Sequence, residues 1–435
     1  MPVRNIFIIA LTVILSLTCY SKASRNRYAN LFAEALETID QQALQDVPNE
    51  ELFVAAMEGM TSRLDGHSRY ISGEMFKLFN EDLNQQFGGV GMYVENEPTS
   101  KKLTVLAPIP GTPAYKAGIR SGDTILEIDG QSTVDLDRSA AIDLIRGPEG
   151  EKVSVVVERQ EEKLDFELTR EFIHEPSAHG DFRNQDGSWN HYLKDYPKIG
   201  YVRLLQFGSK SAEEMTVAIE AIDEKVDALI FDLRNNSGGL LTGAIEICDM
   251  FLERDKLIVS TRGRKNRLLE EHFSTSSQTF STNKPIVVLI NRDSASASEI
   301  VAACLQDHKR AVVIGENSWG KGTVQHVIPI ELGRSALKLT TSSYWRPNGE
   351  NIDRYDPDAQ KSGIWGVHPS ADLEIELSEE QIFQNRRQRS LLDLRGLVPI
   401  DALRERDSDE LLEIEDEPLK RAIKHLTKSA ERVAA

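Results

Sequence analysis

Cysteine is scarce in this chain: three in 435 residues, of which only Cys248 and Cys304 lie beyond the first twenty. Both fall in apolar stretches with helical spacing and read as small buried side chains. No pair of Cys and His has metal-ligand spacing, so no metal is expected. Positive charge is also short. Lys and Arg number 51 against 69 Asp and Glu, for a formal net charge of −18. A phosphate-binding surface needs clustered Lys and Arg, so nucleic acid is excluded as a partner. Long apolar runs are missing too. The one candidate, Ile6 to Thr18, is shorter than the ~20 residues a membrane span requires. There is no internal repeat and no low-complexity tract. No G-x-S-x-G, Walker or dinucleotide fingerprint is found.

What is present is the balance of a soluble globular protein, with 40% hydrophobic and 28% charged residues. The length calls for two or three domains. Arg4, the apolar run and Ser21-Lys22-Ala23 form an export signal over residues 1–23. The expected location is therefore periplasmic or otherwise extracytoplasmic. An uncleaved leader would instead be a membrane tether at the N-terminus. Cys19 adds a lipoprotein option, but Ser16-Leu17-Thr18 is a poor lipobox.

Residues 24–84 read as a helical region. Leu31, Ala35, Leu36 and Ile39 recur at helical spacing, as do Leu52, Ala55, Ala56 and Met60, with a break at Pro48-Asn49-Glu50. Residues 85–172 form a small, mostly β domain. Its strands are Leu103 to Ala107, Thr124 to Asp129, Val153 to Arg159 and Leu164 to Thr169, with short helices at Pro113 to Ala117 and Ser139 to Ile145. Polar residues 173–195 read as a connector. Over 196–377 strands and helices alternate, which implies an α/β layered core. Its expected strands are Ile199 to Leu205, Ala228 to Leu233, Ile286 to Ile290, Val312 to Gly315 and Val324 to Ile330. Its helices are Ala212 to Asp223, Leu241 to Leu252 and Ala297 to Asp307. The charged, helical tail 378–435 either returns to the core or mediates assembly into a homo-oligomer.

Three segments could carry chemistry. Asn291 to Glu299, with Ser294, Ser296 and Ser298, joins an apolar strand to an apolar helix. A serine there can project beside the unsatisfied N–H groups of a helix start, although Ser is also a common helix cap. Asn235-Asn236-Ser237-Gly238-Gly239 again lies between strand and helix. Its glycine N–H groups can hold an oxyanion, each donor contributing ~2.7–4 kcal/mol in the transition state. A plain turn would look the same. Gly320-Lys321-Gly322 opens a strand. For Lys321 to act as a base its pKa must fall from ~10.4 toward neutral, about 4 kcal/mol of burial. Among histidines, His308 lies three helical turns beyond Ser296, too far to reach back, while His326 stays open. Ser281-x-x-Lys284 matches a known dyad spacing without its companion motifs.

Taken together, these segments resemble the carboxyl-terminal processing peptidases, the tail-specific serine proteases of the S41 group. The likeness runs from about residue 50 to 370. Phe87 to Met92, Thr112 to Ile119 and Gly122 to Gly130 resemble the family's PDZ domain. Asp232 to Gly239, Ser294 to Glu299 and Gly320 to Gln325 resemble its oxyanion, serine and lysine segments. The resemblance implies a ClpP/crotonase-like layered core carrying a PDZ-like domain. It implies peptide hydrolysis by a Ser–Lys dyad with no cofactor. Ser296, 25 residues before Lys321, would be the nucleophile. Lys321 would be the base and Gln325 would orient it. Ala297 and either Gly238 or Gly239 would donate to the oxyanion. In the PDZ domain, Gly89, Val90, Gly91 and Met92 would receive the free C-terminus of a protein or peptide substrate. Arg146 would add a charge there or hold the domain to the core, unless it is a solvated turn residue. Trp319 stands where Phe is usual, Gly66 where Pro precedes His-Ser, and Val367-His368-Pro369-Ser370 in place of a Pro-Asp ending; residues 356–361 are extra. Two rivals stay open: a non-catalytic PDZ scaffold, and a crotonase-class acyl-CoA enzyme.

Overall fold

A computed structural model describes residues 5, 9, 11–16, 27–96, 102–134, 136–184, 186–275, 278–398 and 414–434. Most of the expected leader, with the cleavage site expected for it, and residues 399–413 of the tail therefore lie outside the described residues. Among those described, no helix is long and apolar enough to cross a membrane. The chain divides into two compact units, Met1–Phe76 with Gln325–Thr340, and Lys77–Val324 with Thr341–Ala435.

The first unit contains helices Arg27–Gln42 and Asn49–Thr61 and the strand Arg69–Ile71. That strand pairs antiparallel with the start of Ser335–Trp345, Tyr70 opposite Leu337. The ring of Tyr70 meets Phe53 edge-on at 6.0 Å.

In the second unit, the strands Tyr196–Leu204, Ala228–Asp232, Ile286–Ile290 and Ala311–Gly315 lie side by side and parallel. Their near-continuous Ile, Val and Leu content follows from burial on both faces. Val202, Leu204, Leu229, Phe231, Val288 and Ile290 face one way. Helices Ser211–Ile222, Leu241–Asp249 and Ala297–Asp307 cover that face with Met215, Ile219, Ile247, Val301 and Leu305. Tyr201, Ile230, Val287 and Leu289 alternate to the other face, where the tail helix Glu417–Ala434 lays Ala422 and Leu426. The tail thus returns to the core.

Residues 173–195 are more than a connector. Ala178–His179 and Tyr192–Leu193 both pair with Tyr196–Leu204 and widen the core sheet. Between them Phe182–Arg183 and Trp189–Asn190 form a hairpin, with the Arg183 guanidinium 4.0 Å over the Trp189 ring. Strands Leu257–Arg262 and Leu268–Phe273 also escape the sequence reading; they pair with each other, and the first pairs with residues 343–345.

The β domain is a sheet in the order Met92–Asn96, Leu103–Pro108, Thr124–Ile128, Lys152–Arg159, Glu162–Thr169. Val153, Val155 and Val157 alternate inward at strand period onto Val105, Ile125, Ala141 and Ile145. Arg159 fixes the loop between helix Pro113–Ala117 and the next strand. Its guanidinium makes two 2.7 Å bonds to the buried Asp123 carboxylate and one of 2.8 Å to the Gly118 carbonyl. Asp123 in turn accepts from the Arg120 N–H at 2.8 Å.

Candidate active site

The parallel strands end together, and the loops that follow them carry two of the three candidate segments. After Ile286–Ile290 the chain turns through Asn291 to Ala295 and enters its helix at Ser296. Ser296 has φ 57°, ψ −114°, far from the regions an L-residue prefers. Such a turn projects a side chain at a helix start. The flanking serines are not available for this. Ser294 and Ser298 are fully buried. Ser294 Oγ donates to the Leu233 carbonyl at 2.8 Å, and Ser298 Oγ to the Asn236 carbonyl at 2.9 Å. Ser296 alone of the three is partly exposed.

The glycine loop lies directly against it. Gly238 has φ +100°, and a Cβ there would fall 2.8 Å from Ser296 Cβ and 3.0 Å from the Ala297 nitrogen. Only glycine combines that backbone with that approach. Asn236, buried beneath the loop, receives the Gly238 N–H on Oδ1 at 2.8 Å and anchors its own amide to the Leu204 carbonyl. The Phe207 main chain holds the outer side, donating to Gly238 O at 3.0 Å and accepting from Leu240 N at 2.7 Å.

The lysine segment is joined to the serine segment by one side chain with no role in the sequence reading. Glu299 is fully buried in the first turn of the helix. Its Oε2 accepts from the main-chain N–H groups of both Ser296 and Lys321, each at 2.8 Å. Its Oε1 accepts from Gly320 N at 2.6 Å and Ser318 Oγ at 2.5 Å. Burial pushes the Glu299 carboxyl above the ordinary range, against the pull of these four donors. The legible signal was the S-x-x-E spacing of a capping box. Lys321 itself is half-buried. Burial pushes its amine below the usual lysine value, and Glu299 opposes the shift. The Tyr344 hydroxyl donates to the carbonyls of Lys321 and Ser296, a second tie between the segments.

Below the glycine loop, Asp232 is buried with Arg234. Burial pushes its carboxyl up, but Arg234 and the Tyr201 hydroxyl outweigh that and hold it below the carboxylate range. Arg234 also pairs with Asp416, just before the tail helix, at 2.7 Å.

Ser296, Ala297, Gly238, Gly239 and the Lys321 main chain thus meet in one place. Gln325 belongs to the other compact unit. There it donates to Thr340 Oγ1 at 3.2 Å, and Thr340 donates to Asp65 Oδ1 at 3.1 Å. Of the rival residues, His308 and Lys284 are engaged elsewhere. His308 caps the far end of the helix with Nε2 2.7 Å from the Leu257 carbonyl. His326 is exposed on its strand. Lys284 is ion-paired with Asp223 at 2.9 Å. In the β domain, Val90 is buried in the core and its carbonyl accepts from Ala114 N at 2.8 Å; Gly91 O accepts from Ile109 N at 2.9 Å. Gly89 ends a short strand paired with Glu171, and Met92 begins the next. Arg146 is exposed, with its guanidinium 4.4 Å over the Phe87 ring. It borders a cavity of about 440 Å³ shared with Gln85, Glu175 and Leu205.

A layered α/β core with a serine at a strained helix start, whose main chain shares a carboxylate oxygen with that of a half-buried lysine, joined to a separate β domain, has the form of a serine-type peptidase. The profile of peptidase family S41 matches residues 198–361, and that of the PDZ domain matches residues 104–159. The chain is 37% identical over 388 residues to the carboxy-terminal-processing protease of Bartonella bacilliformis, covering 87% of this chain and 83% of that protein. It is 31% identical over 324 residues to the carboxy-terminal processing protease CtpA of Bacillus subtilis, covering 74% and 66%. Among solved structures it is similar to a photosystem II D1 C-terminal processing protease, at 25% identity and a TM-score of 0.44, covering 86% of this chain and all of that one. The chain belongs to the S41 family of carboxy-terminal processing proteases.

Proposed function

We propose that this protein is an exported endopeptidase that cleaves by a Ser–Lys dyad on a ClpP/crotonase-like core. Ser296 attacks the scissile carbonyl, and Lys321 takes the proton and returns it to the leaving amine. Gln325 orients the lysine. Ala297 donates one hydrogen bond to the oxyanion. The Gly238 N–H is already given to Asn236, so Gly239 is the second donor we favour. The observation that carries this reading is the Glu299 carboxylate, which holds the Ser296 and Lys321 N–H groups on a single oxygen. A fluorophosphonate probe tests it. Labelling of wild type, Ser294→Ala and Ser298→Ala, with none of Ser296→Ala, is the expected pattern. Labelling of Ser296→Ala overturns it.

The PDZ domain in this reading recruits substrates by a free, apolar C-terminus added as a strand, at Gly89 to Met92, with Arg146 alongside. Amidated and free-acid forms of the same peptides separate recruitment from a purely structural role: equal cleavage rates sink recruitment. Gly91 is a poor site for that test, because a Cβ there would fall 2.4 Å from the Thr112 side chain. The leader supports a periplasmic or other extracytoplasmic site of action; a retained leader would tether the protein at its N-terminus, and self-assembly would make it a homo-oligomer.

A further inference from the structure

The two catalytic loops are gripped from outside by the helix Glu379–Leu394, which follows the peptidase core. The serine segment offers two adjacent charges, Arg292 and Asp293. Arg292 pairs with Glu379 at the start of that helix, and Asp293 pairs with Arg386. Glu379 and Arg386 are seven residues apart, two turns, and so share one helix face. Arg292 also reaches Glu316 and the Leu377 carbonyl, at 2.9 and 3.1 Å. The second grip is on the glycine loop. Asn235 sits three residues before Gly238 in the left-handed region, φ 61°. It exchanges two hydrogen bonds with Asn291, its N–H to Oδ1 at 2.8 Å and Asn291 Nδ2 back to its own Oδ1 at 3.0 Å. The remaining acceptor capacity of Asn235 Oδ1 is filled by Arg386 Nε at 2.9 Å. One guanidinium therefore joins the loop before Ser296 to the loop before Gly238.

We propose that this helix is a brace on the active site and that Arg386 is a positioning residue, holding the glycine loop and the serine segment in the register that catalysis needs. The proposal rests on the Ser296 assignment above. Arg386 touches no reacting atom. Its side chain is half exposed, and exposed ion pairs contribute little to stability, so a role in geometry should appear in rate rather than in folding. Oxyanion donors must meet a nucleophile within a fraction of an ångström, and a misplacement of about 1 Å can cost on the order of 100-fold in rate. Lysine cannot replace the fork: it can pair with Asp293 but not also present an Nε–H to Asn235.

The test uses the full chain and a quenched-fluorescent peptide. Arg386→Ala should lower kcat roughly 10- to 100-fold, with KM within about twofold of wild type. Its unfolding midpoint should stay within about 3 °C. Arg386→Lys should recover part of the loss and Asp293→Asn should show an intermediate loss. A kcat within about twofold of wild type in Arg386→Ala overturns the brace. So does a loss accompanied by a large fall in the unfolding midpoint, which would make the contact merely structural. Ser296→Ala run alongside separates the two readings. If it stays active, the site assignment fails; if it is dead while Arg386→Ala is fully active, only the brace fails.

Discussion

Glu299→Gln is the sharpest perturbation of the site, because it changes one atom and leaves the shape. The carboxylate faces four donors, the N–H groups of Ser296, Gly320 and Lys321 and the Ser318 hydroxyl. Glutamine keeps one acceptor oxygen and turns the other position into a donor. In the cheaper orientation its NH₂ faces Gly320 and Ser318, and the Gly320 N–H is left without a partner. Ser318 Oγ already receives Val367 N at 2.7 Å and can accept from that NH₂ on its second lone pair, but its own hydrogen then loses the Oε1 acceptor. Losing one charge-assisted bond costs ~1.5–3 kcal/mol, and the bonds kept to Ser296 and Lys321 fall to roughly half strength. The total is on the order of 3–5 kcal/mol. If a third to a half of it is lost in aligning the two segments, kcat/KM drops about 5- to 70-fold. The charge change has a separate signature. Glu299 raises the Lys321 pKa, so removing its charge must lower that pKa, and the acid limb of the activity profile must move to lower pH. The assay is kcat/KM against pH on a fluorogenic peptide, with thermal unfolding as a check on folding. An acid limb that moves to higher pH, or activity within about twofold of wild type, refutes the reasoning.

Other outcomes follow from the same geometry. Lys321→Ala should be as inactive as Ser296→Ala, and Lys321→Arg should not rescue it, because arginine does not deprotonate; full activity in Lys321→Ala would move the base elsewhere. In wild type, activity should fall as pH drops through one apparent pKa below that of free lysine, since burial lowers the amine, and a limb at the free-lysine value would contradict this. In the PDZ domain, Asp123→Ala leaves the guanidinium of Arg159 without its carboxylate. It should destabilise that domain by about 1–3 kcal/mol, read as loss of amide protection over residues 102–169 while Ser296 still reacts with a small probe.

The core strands were legible from sequence because burial on both faces demands unbroken apolar runs. Ala228–Asp232 and Ile286–Ile290 are such runs, and local composition carries that information. The small-residue loops after them were legible for a similar reason: Gly238, with its left-handed backbone packed against Ser296, tolerates no other side chain. The strands Leu257–Arg262 and Leu268–Phe273 were not legible. The latter carries charges and is mostly exposed, and the place of both in a sheet depends on partners elsewhere in the chain. The short strands of 173–195 were hidden for the same reason, since pairing with Tyr196–Leu204 defines them. Within the candidate site, sequence offered Ser296 and Lys321 as candidates but not what joins them. Tertiary folding alone decided that Glu299 would bond the main chain of both, that Asn235 would meet Asn291 across 56 residues, and that Arg386 would reach across 151 to Asn235. Hydrogen bonds of this kind depend on where the backbone brings two groups. A side chain's identity says that it can donate or accept, and only the fold supplies the partner.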